Sequence, residues 1–131
     1  MRTKRDLFYA WLLATVLSGI PSTLYALLSG GDPLEATRAA GKMVSSNNLF
    51  LGAAIVHTSV SFFWALVLWL TLPRRHTLAW ALAASVAIAL LDLRVIAPIL
   101  FPEVAALAFW PQLADHLVWG ACCGLVLRYR S

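Results

Sequence analysis

Charged residues are scarce in this chain. They make up 12% of its 131 residues, while hydrophobic residues make up 61%. A soluble domain has about 25% charged residues and roughly 45–50% apolar ones, so the deficit argues against an ordinary soluble domain and indicates a membrane protein. The cations stand mostly at the ends of apolar segments rather than on one face. We therefore expect no nucleic-acid partner.

Cysteine and catalytic motifs are also sparse. The two cysteines are the adjacent Cys122 and Cys123, and the chain has no Cys-x-x-Cys motif and no zinc-type spacing. We interpret the pair as two small apolar residues packed in a helix, with their redox state open. The sequence has no phosphate-binding loop, His-Glu-x-x-His motif or recognisable nucleophile–base pair, so we predict no catalytic residue and lean against an enzyme.

Long apolar segments dominate what is present. Four of them are long enough to cross a bilayer, since about 20 residues span the hydrocarbon core. We therefore predict an all-α polytopic membrane protein, a four-transmembrane-helix bundle in one domain over residues 1–131. Pro21 should kink the first helix, and Pro111 should interrupt the fourth near its start. The predicted spans are 7–28, 49–72, 78–100 and 104–127.

A short amphipathic helix is predicted at about 33–44, outside the membrane. Asp32 suits the N-cap, Pro33 the first helical position, and Glu35 stands three residues after the cap. This helix could lie at the membrane surface, cap the bundle or be an ordinary solvated connector. Residues 45–48 form a predicted polar turn.

The cations predict the orientation of the chain. One side of the membrane receives seven of the ten: Arg2, Lys4, Arg5, Arg74, Arg75, Arg128 and Arg130. The other side receives only Arg38 and Lys42. The positive-inside rule then places both termini in the cytoplasm.

Polar side chains recur at similar depth in the predicted spans. At ~1.5 Å per residue from the non-cytoplasmic end, Ser22, His57 and Asp92 lie about 9–13 Å deep, and Asp115 and His116 about 15–17 Å. Ionisable groups at that depth are costly and are a functional-site hypothesis by default. The candidate intramembrane site, called the polar layer below, consists of Ser22, His57, Ser61, Asp92, Asp115 and His116.

Two interpretations of the polar layer stay open. Polar groups also join membrane helices, at about 0.6 kcal/mol per hydrogen bond, without any further role. In a working site, Asp115 would face the bundle interior and hydrogen-bond a partner from another span. The favoured partners are His57 and Arg94, the candidate ion-pair partner. At least one histidine would then share a proton with a carboxylate. Gly120 and Gly124 form a GxxxG motif that is suited to close helix packing.

Several segments together resemble a group of small four-span bacterial inner-membrane proteins. The resemblance covers most of the chain and implies the four-span fold and an inner-membrane location, but no activity. It is carried by Gly19–Tyr25, Asp32–Gly41, His57 with Ser61 and Trp64-Ala65, and Asp115–Gly120.

Three functions are compatible with these features. The favoured one is a membrane-embedded binding or transport protein, which we expect to be a homo-oligomer because four helices leave little room for a pathway. The second is a structural or accessory subunit of a larger membrane complex. The third is a b-type haem protein liganded by His57 and His116, or a metal site that adds Asp92 and Asp115. Beyond the lipid bilayer, the sequence identifies no cofactor, metal or partner.

Overall fold

The structure, a computed structural model, describes residues 2–44 and 47–129, and these ranges contain helices and turns but no strand. The predicted turn at Ser45 and Ser46 and the predicted cytoplasmic Arg130 lie outside them. The helices are α1 (Lys4–Leu17), α2 (Ile20–Leu28), α3 (Glu35–Lys42), α4 (Leu49–Thr71), α5 (Thr77–Leu90), α6 (Ala97–Leu100), α7 (Pro102–Ala105) and α8 (Phe109–Tyr129), with a π-helical segment (Leu91–Ile96) between α5 and α6.

The first predicted span is broken in its middle. Helix α1 ends at Leu17, and α2 begins at Ile20 with Pro21 in its first turn. Pro21 has no N–H to donate to Leu17, and its ring disfavours a continuous helix. The predicted kink at Pro21 is confirmed, and it takes the form of a break at Ser18 and Gly19.

Three stretches of the described chain are long and apolar enough to cross a membrane: Lys4–Leu28, Leu49–Thr71 and Thr77–Leu100. The predicted fourth span, 104–127, is not among them. Helix α8 is long enough, with 21 residues, but Gln112, Asp115 and His116 lower its hydropathy. Its predicted start is also wrong, because the interruption falls between α7 and α8, and Pro111 lies inside the first turn of α8.

The long helices pack in a row rather than around one centre. Helices α1 and α8 form the middle pair, α4 packs on α1, and α5 packs on α8. Helices α4 and α5 follow each other in sequence but share no extensive contact in the described structure. The buried core consists of Leu7, Ala10, Ala14, Ala65, Leu68, Leu72, Ala81, Ile88, Trp119, Cys123 and Leu127.

The contact between α5 and α8 depends on two glycines of α8. A Cβ atom at Gly120 would lie 2.5 Å from the Cβ of Ser85 and 3.0 Å from the carbonyl oxygen of Ala81. A Cβ atom at Gly124 would lie 2.8 Å from the Cβ of Ala81. These approaches leave no space for a methyl group, so the GxxxG motif lets the two backbones touch, as small residues do between membrane helices.

Helix α3 packs across the start of α4. It begins at Glu35, two residues later than predicted, because the Asp32 carboxylate accepts a hydrogen bond from the Leu34 N–H (2.9 Å) in a turn. Lys42 at its end forms an ion pair with Glu103 of α7 (2.8 Å). The helix therefore covers the end of the molecule opposite the N-terminus. We call this the α3 end.

We expect Gly120→Ala to destabilise the protein by about 1–3 kcal/mol, because a well-packed contact would have to open. Gly19→Ala is the matched control, since a Cβ atom there meets nothing within 4 Å. Thermal unfolding of the purified protein in detergent measures both. Equal midpoints for the two variants would contradict a tight α5–α8 contact.

Candidate functional site

Asp115 caps the broken first span. One of its carboxylate oxygens accepts a hydrogen bond from the backbone N–H of Ser22 (2.9 Å). Ser22 lies in the first turn of α2, where N–H groups lack intrahelical acceptors and the helix dipole favours negative charge. The expected hydrogen bond from Asp115 to another span is therefore present, but its partner is the backbone of Ser22 and not the side chain of His57 or Arg94.

His57 satisfies the other side of the same break. Its Nε2 lies 2.7 Å from the carbonyl oxygen of Thr15, in the last turn of α1. A carbonyl oxygen can only accept, so Nε2 carries a proton and donates it. The rest of the His57 side chain is exposed on the surface of α4. Asp115 and His57 thus serve the N–H side and the carbonyl side of one helix interruption.

Ser61 joins three helices in the interior. Its buried hydroxyl accepts a hydrogen bond from the indole N–H of Trp119 (2.9 Å) and lies 2.7 Å from the hydroxyl of Thr15. Trp119 and Thr15 belong to the site but were absent from the predicted set. Thr15 carries a sequence signal, because it stands at helical spacing from Ser18 and Ser22 in a hydroxyl stripe. Trp119 has no signal beyond its place three residues after His116.

A further contact of the polar layer joins His116 to Asp92. His116 Nε2 lies 3.5 Å from a carboxylate oxygen of Asp92, and its Nδ1 lies 2.8 Å from the carbonyl oxygen of Gln112. Since the carbonyl only accepts, Nδ1 bears a proton. The contact with Asp92 is then a hydrogen bond only when a second proton lies between the two side chains. The geometry therefore brings together a histidine and a carboxylate that can share one proton.

The backbone around Asp92 is irregular. Asp92 lies in the π-helical segment Leu91–Ile96. Such segments are rare and often occur at functional sites. Here the segment carries both Asp92, on the side of α8, and Arg94.

Arg94 is not an ion-pair partner of the layer. Its guanidinium carbon lies 4.2 Å from the centre of the Phe109 ring, a cation–π contact. Glu103, in the neighbouring α7, pairs with Lys42. The predicted ion pairing of Arg94 is therefore wrong.

The polar layer is a set of paired contacts rather than one cluster. In the described part of the chain, no group of three or more His, Cys, Asp or Glu side chains could hold a metal ion. The metal alternative therefore finds no prepared site among these residues. His57 and His116 each direct one ring nitrogen at a backbone carbonyl, as metal-ligating histidines commonly do with the nitrogen that does not bind the metal, so these bonds are compatible with the haem alternative. Both cysteines are free thiols, and Cys123 is fully buried.

A small, partly open cavity reaches the layer from the α3 end. It has a volume of about 60 Å³, and Ser22 and Gln112 line it together with Asp32 and Glu35. This volume holds a few water molecules and is far below the ~300 Å³ of the smallest typical ligand pockets. Ser22 and Gln112 are the residues whose backbone groups bond Asp115 and His116. Water in the cavity would thus contact Ser22 and Gln112, which in turn bond the side chains of Asp115 and His116.

Comparison with known proteins provides no family for this chain. No protein-family model matches it, and no curated protein or solved structure does so either. The resemblance to four-span bacterial inner-membrane proteins stays a prediction, and the functional argument depends on geometry.

We expect Asp115→Leu to cost about 1–3 kcal/mol of stability, because it leaves the Ser22 N–H without its acceptor. Asp115→Asn keeps an oxygen that can accept and should retain most of the stability. Thermal unfolding of both variants separates the loss of the cap from the loss of charge. If Asn destabilised the protein as much as Leu, the carboxylate charge and not the cap would be what the fold requires.

Proposed function

We propose that this chain is an integral membrane protein that reversibly binds protons in its polar layer. One observation carries the proposal: the cavity at the α3 end is lined by Ser22 and Gln112, which hold Asp115 and His116 in place. The titratable groups that would take up the proton are Asp115 and the Asp92–His116 pair. The small volume supports a proton over an organic ligand.

The binding site has access from one end only in this proposal. Towards the opposite end, α8 presents Trp119, Cys123 and Leu127, which are 7%, 0% and 0% exposed. Protein interiors packed in this way leave few voids as large as a water molecule. The arrangement therefore supports binding and release at one surface more than conduction across the membrane.

We further propose that α8 is a fourth membrane-spanning helix and that both termini are cytoplasmic. Arg2 donates to the carbonyl oxygen of Leu72 at the end of α4, and Arg74 and Arg128 line one crevice. The start of α1, the α4–α5 turn and the end of α8 therefore lie at one end, which we call the basic end. The positive-inside rule supports a cytoplasmic basic end. The resemblance described above supports a bacterial inner membrane.

A second candidate function is an accessory subunit of a larger complex, or of a homo-oligomer. The observation that favours it is the exposure of polar side chains at the depth of the layer. His57 is exposed, and the side chains of His116 and Asp92 are 23% and 27% exposed. Polar groups at such depth usually face protein or a water-filled cavity. A neighbouring protein surface would cover them.

The orientation is tested by reporters of sidedness, an alkaline phosphatase fusion and a green fluorescent protein fusion, each placed after residue 131. We expect fluorescence and no phosphatase activity, because the end of α8 lies beside the cationic turn between α4 and α5. A reporter inserted after Gly31 is the matched control and should give the opposite pattern. Phosphatase activity from the C-terminal fusion would contradict the four-span orientation.

Proton binding is tested by infrared difference spectroscopy of the purified protein from about pH 5 to 9, the range in which histidine titrates. We expect difference signals from the His116 imidazole and from the carboxylate groups beside it, because their hydrogen bonds change when the imidazole is protonated. Asp115→Asn and His116→Gln should each remove part of the difference spectrum.

Glu103→Gln is the control, since it removes an exposed carboxylate at the same end that does not line the cavity. Its spectrum should retain the signals of Asp115 and His116. If Asp115→Asn and His116→Gln left the difference spectrum unchanged, the layer would serve packing alone. The accessory-subunit function would then be the better explanation.

A further inference from the structure

A second and larger cavity lies at the basic end, remote from the polar layer. It is a crevice of about 360 Å³ between the α4–α5 turn, the start of α5 and the end of α8. Its volume falls within the range of typical small-molecule sites, about 300–1,000 Å³. Arg74, His76 and Arg128 line its polar part, and Leu78, Ala79 and Leu82 line its apolar part.

Among the described residues, the charged side chains that line the crevice are cationic. Arg2, at the neighbouring junction of α4 and α5, has its pKa lowered by burial and, second, by the positive charge of Arg74. The acidic residue of this end in the described chain is Asp6, which is 4% exposed and accepts hydrogen bonds from Thr3. Accumulated positive charge beside a low-dielectric wall attracts an anion.

The start of α5 also favours an anion in the crevice. The N-cap position is His76, in a left-handed conformation (φ 57°), and it makes no side-chain cap hydrogen bond. The Thr77 hydroxyl is directed back at the carbonyl oxygens of Pro73 (3.0 Å) and Arg74 (2.9 Å). The first N–H groups of a helix have no intrahelical acceptor and favour phosphate and other anions. This helix start and the arginines therefore both favour an anionic ligand in the crevice.

We propose that the crevice binds the phosphate of an anionic phospholipid headgroup. The phosphate would lie beside Arg74 and Arg128, and the start of an acyl chain would lie along Leu78 and Leu82. Basic pockets between membrane helices on the cytoplasmic side are suited to such headgroups. The proposal depends on the membrane location argued above but not on proton binding in the polar layer, so either can fail alone.

The test is native mass spectrometry of the full chain in non-ionic detergent, titrated with short-chain phosphatidylglycerol, short-chain phosphatidylcholine or inorganic phosphate. We expect phosphatidylglycerol to bind at least about tenfold more tightly than the other two. The double variant Arg74→Gln/Arg128→Gln should lose about tenfold or more in affinity for it, since each cation near a membrane surface contributes measurably to anionic-lipid binding.

The matched control is Lys4→Gln/Arg5→Gln. It removes two exposed cations from the same end, outside the crevice, and should change the affinity less than about threefold, because the removed charges would act only through screened, longer-range attraction. A similar loss in both double variants would show diffuse surface attraction and overturn the proposal. Equal binding of phosphatidylcholine would overturn an anion site. Inorganic phosphate that binds as tightly as phosphatidylglycerol would overturn the lipid as the source of the phosphate. Thermal unfolding of each variant verifies that it is folded.

Discussion

The interruption of the first span at Ser18 and Gly19 is the constraint on which the rest of the structure depends. In hydrocarbon, every backbone N–H and carbonyl group needs a partner, and a broken helix leaves several without one. Asp115 of α8 serves the N–H side and His57 of α4 serves the carbonyl side. The two polar side chains thereby provide hydrogen-bond partners for backbone groups that the break leaves without one. Their positions fix how α4 and α8 are placed on either side of α1 and α2.

The second constraint is the close packing of α5 on α8 through Gly120 and Gly124. It brings the π-helical segment to the level of His116, so that Asp92 comes within 3.5 Å of the imidazole. The pair then shares its environment with Asp115, one residue away on α8. Packing, helix capping and the proposed proton binding therefore involve the same few residues. For any variant of the polar layer, stability therefore has to be measured together with proton binding.

Much of the helical framework could be predicted from the residues. The apolar segments fixed the long helices, and Pro21 fixed the break. The position of each polar residue along its own helix was also predictable, because the rise per residue is constant. The hydrogen-bond partners of these residues were not predictable. They depend on how each helix is rotated and on which helices lie next to it, and the spacing of apolar residues does not determine either. Asp115 therefore bonds the Ser22 backbone and Arg94 lies on Phe109. Helix α8 is also not among the stretches apolar enough to cross a membrane, because it carries several polar residues of the site.

The row order of the helices has a consequence for how the chain is made. Helix α5 follows α4 in synthesis, yet the long helix it packs against in the described structure is α8, which is made after both of them. Until α8 emerges, α5 has only lipid or the insertion machinery around it, and the glycine contact cannot form. Nor does α2 have its carboxylate cap, which comes from the same late helix. A chain that stops at about residue 105 therefore keeps the α1–α4 and α3–α4 contacts but lacks the helix that packs against α5 and caps α2.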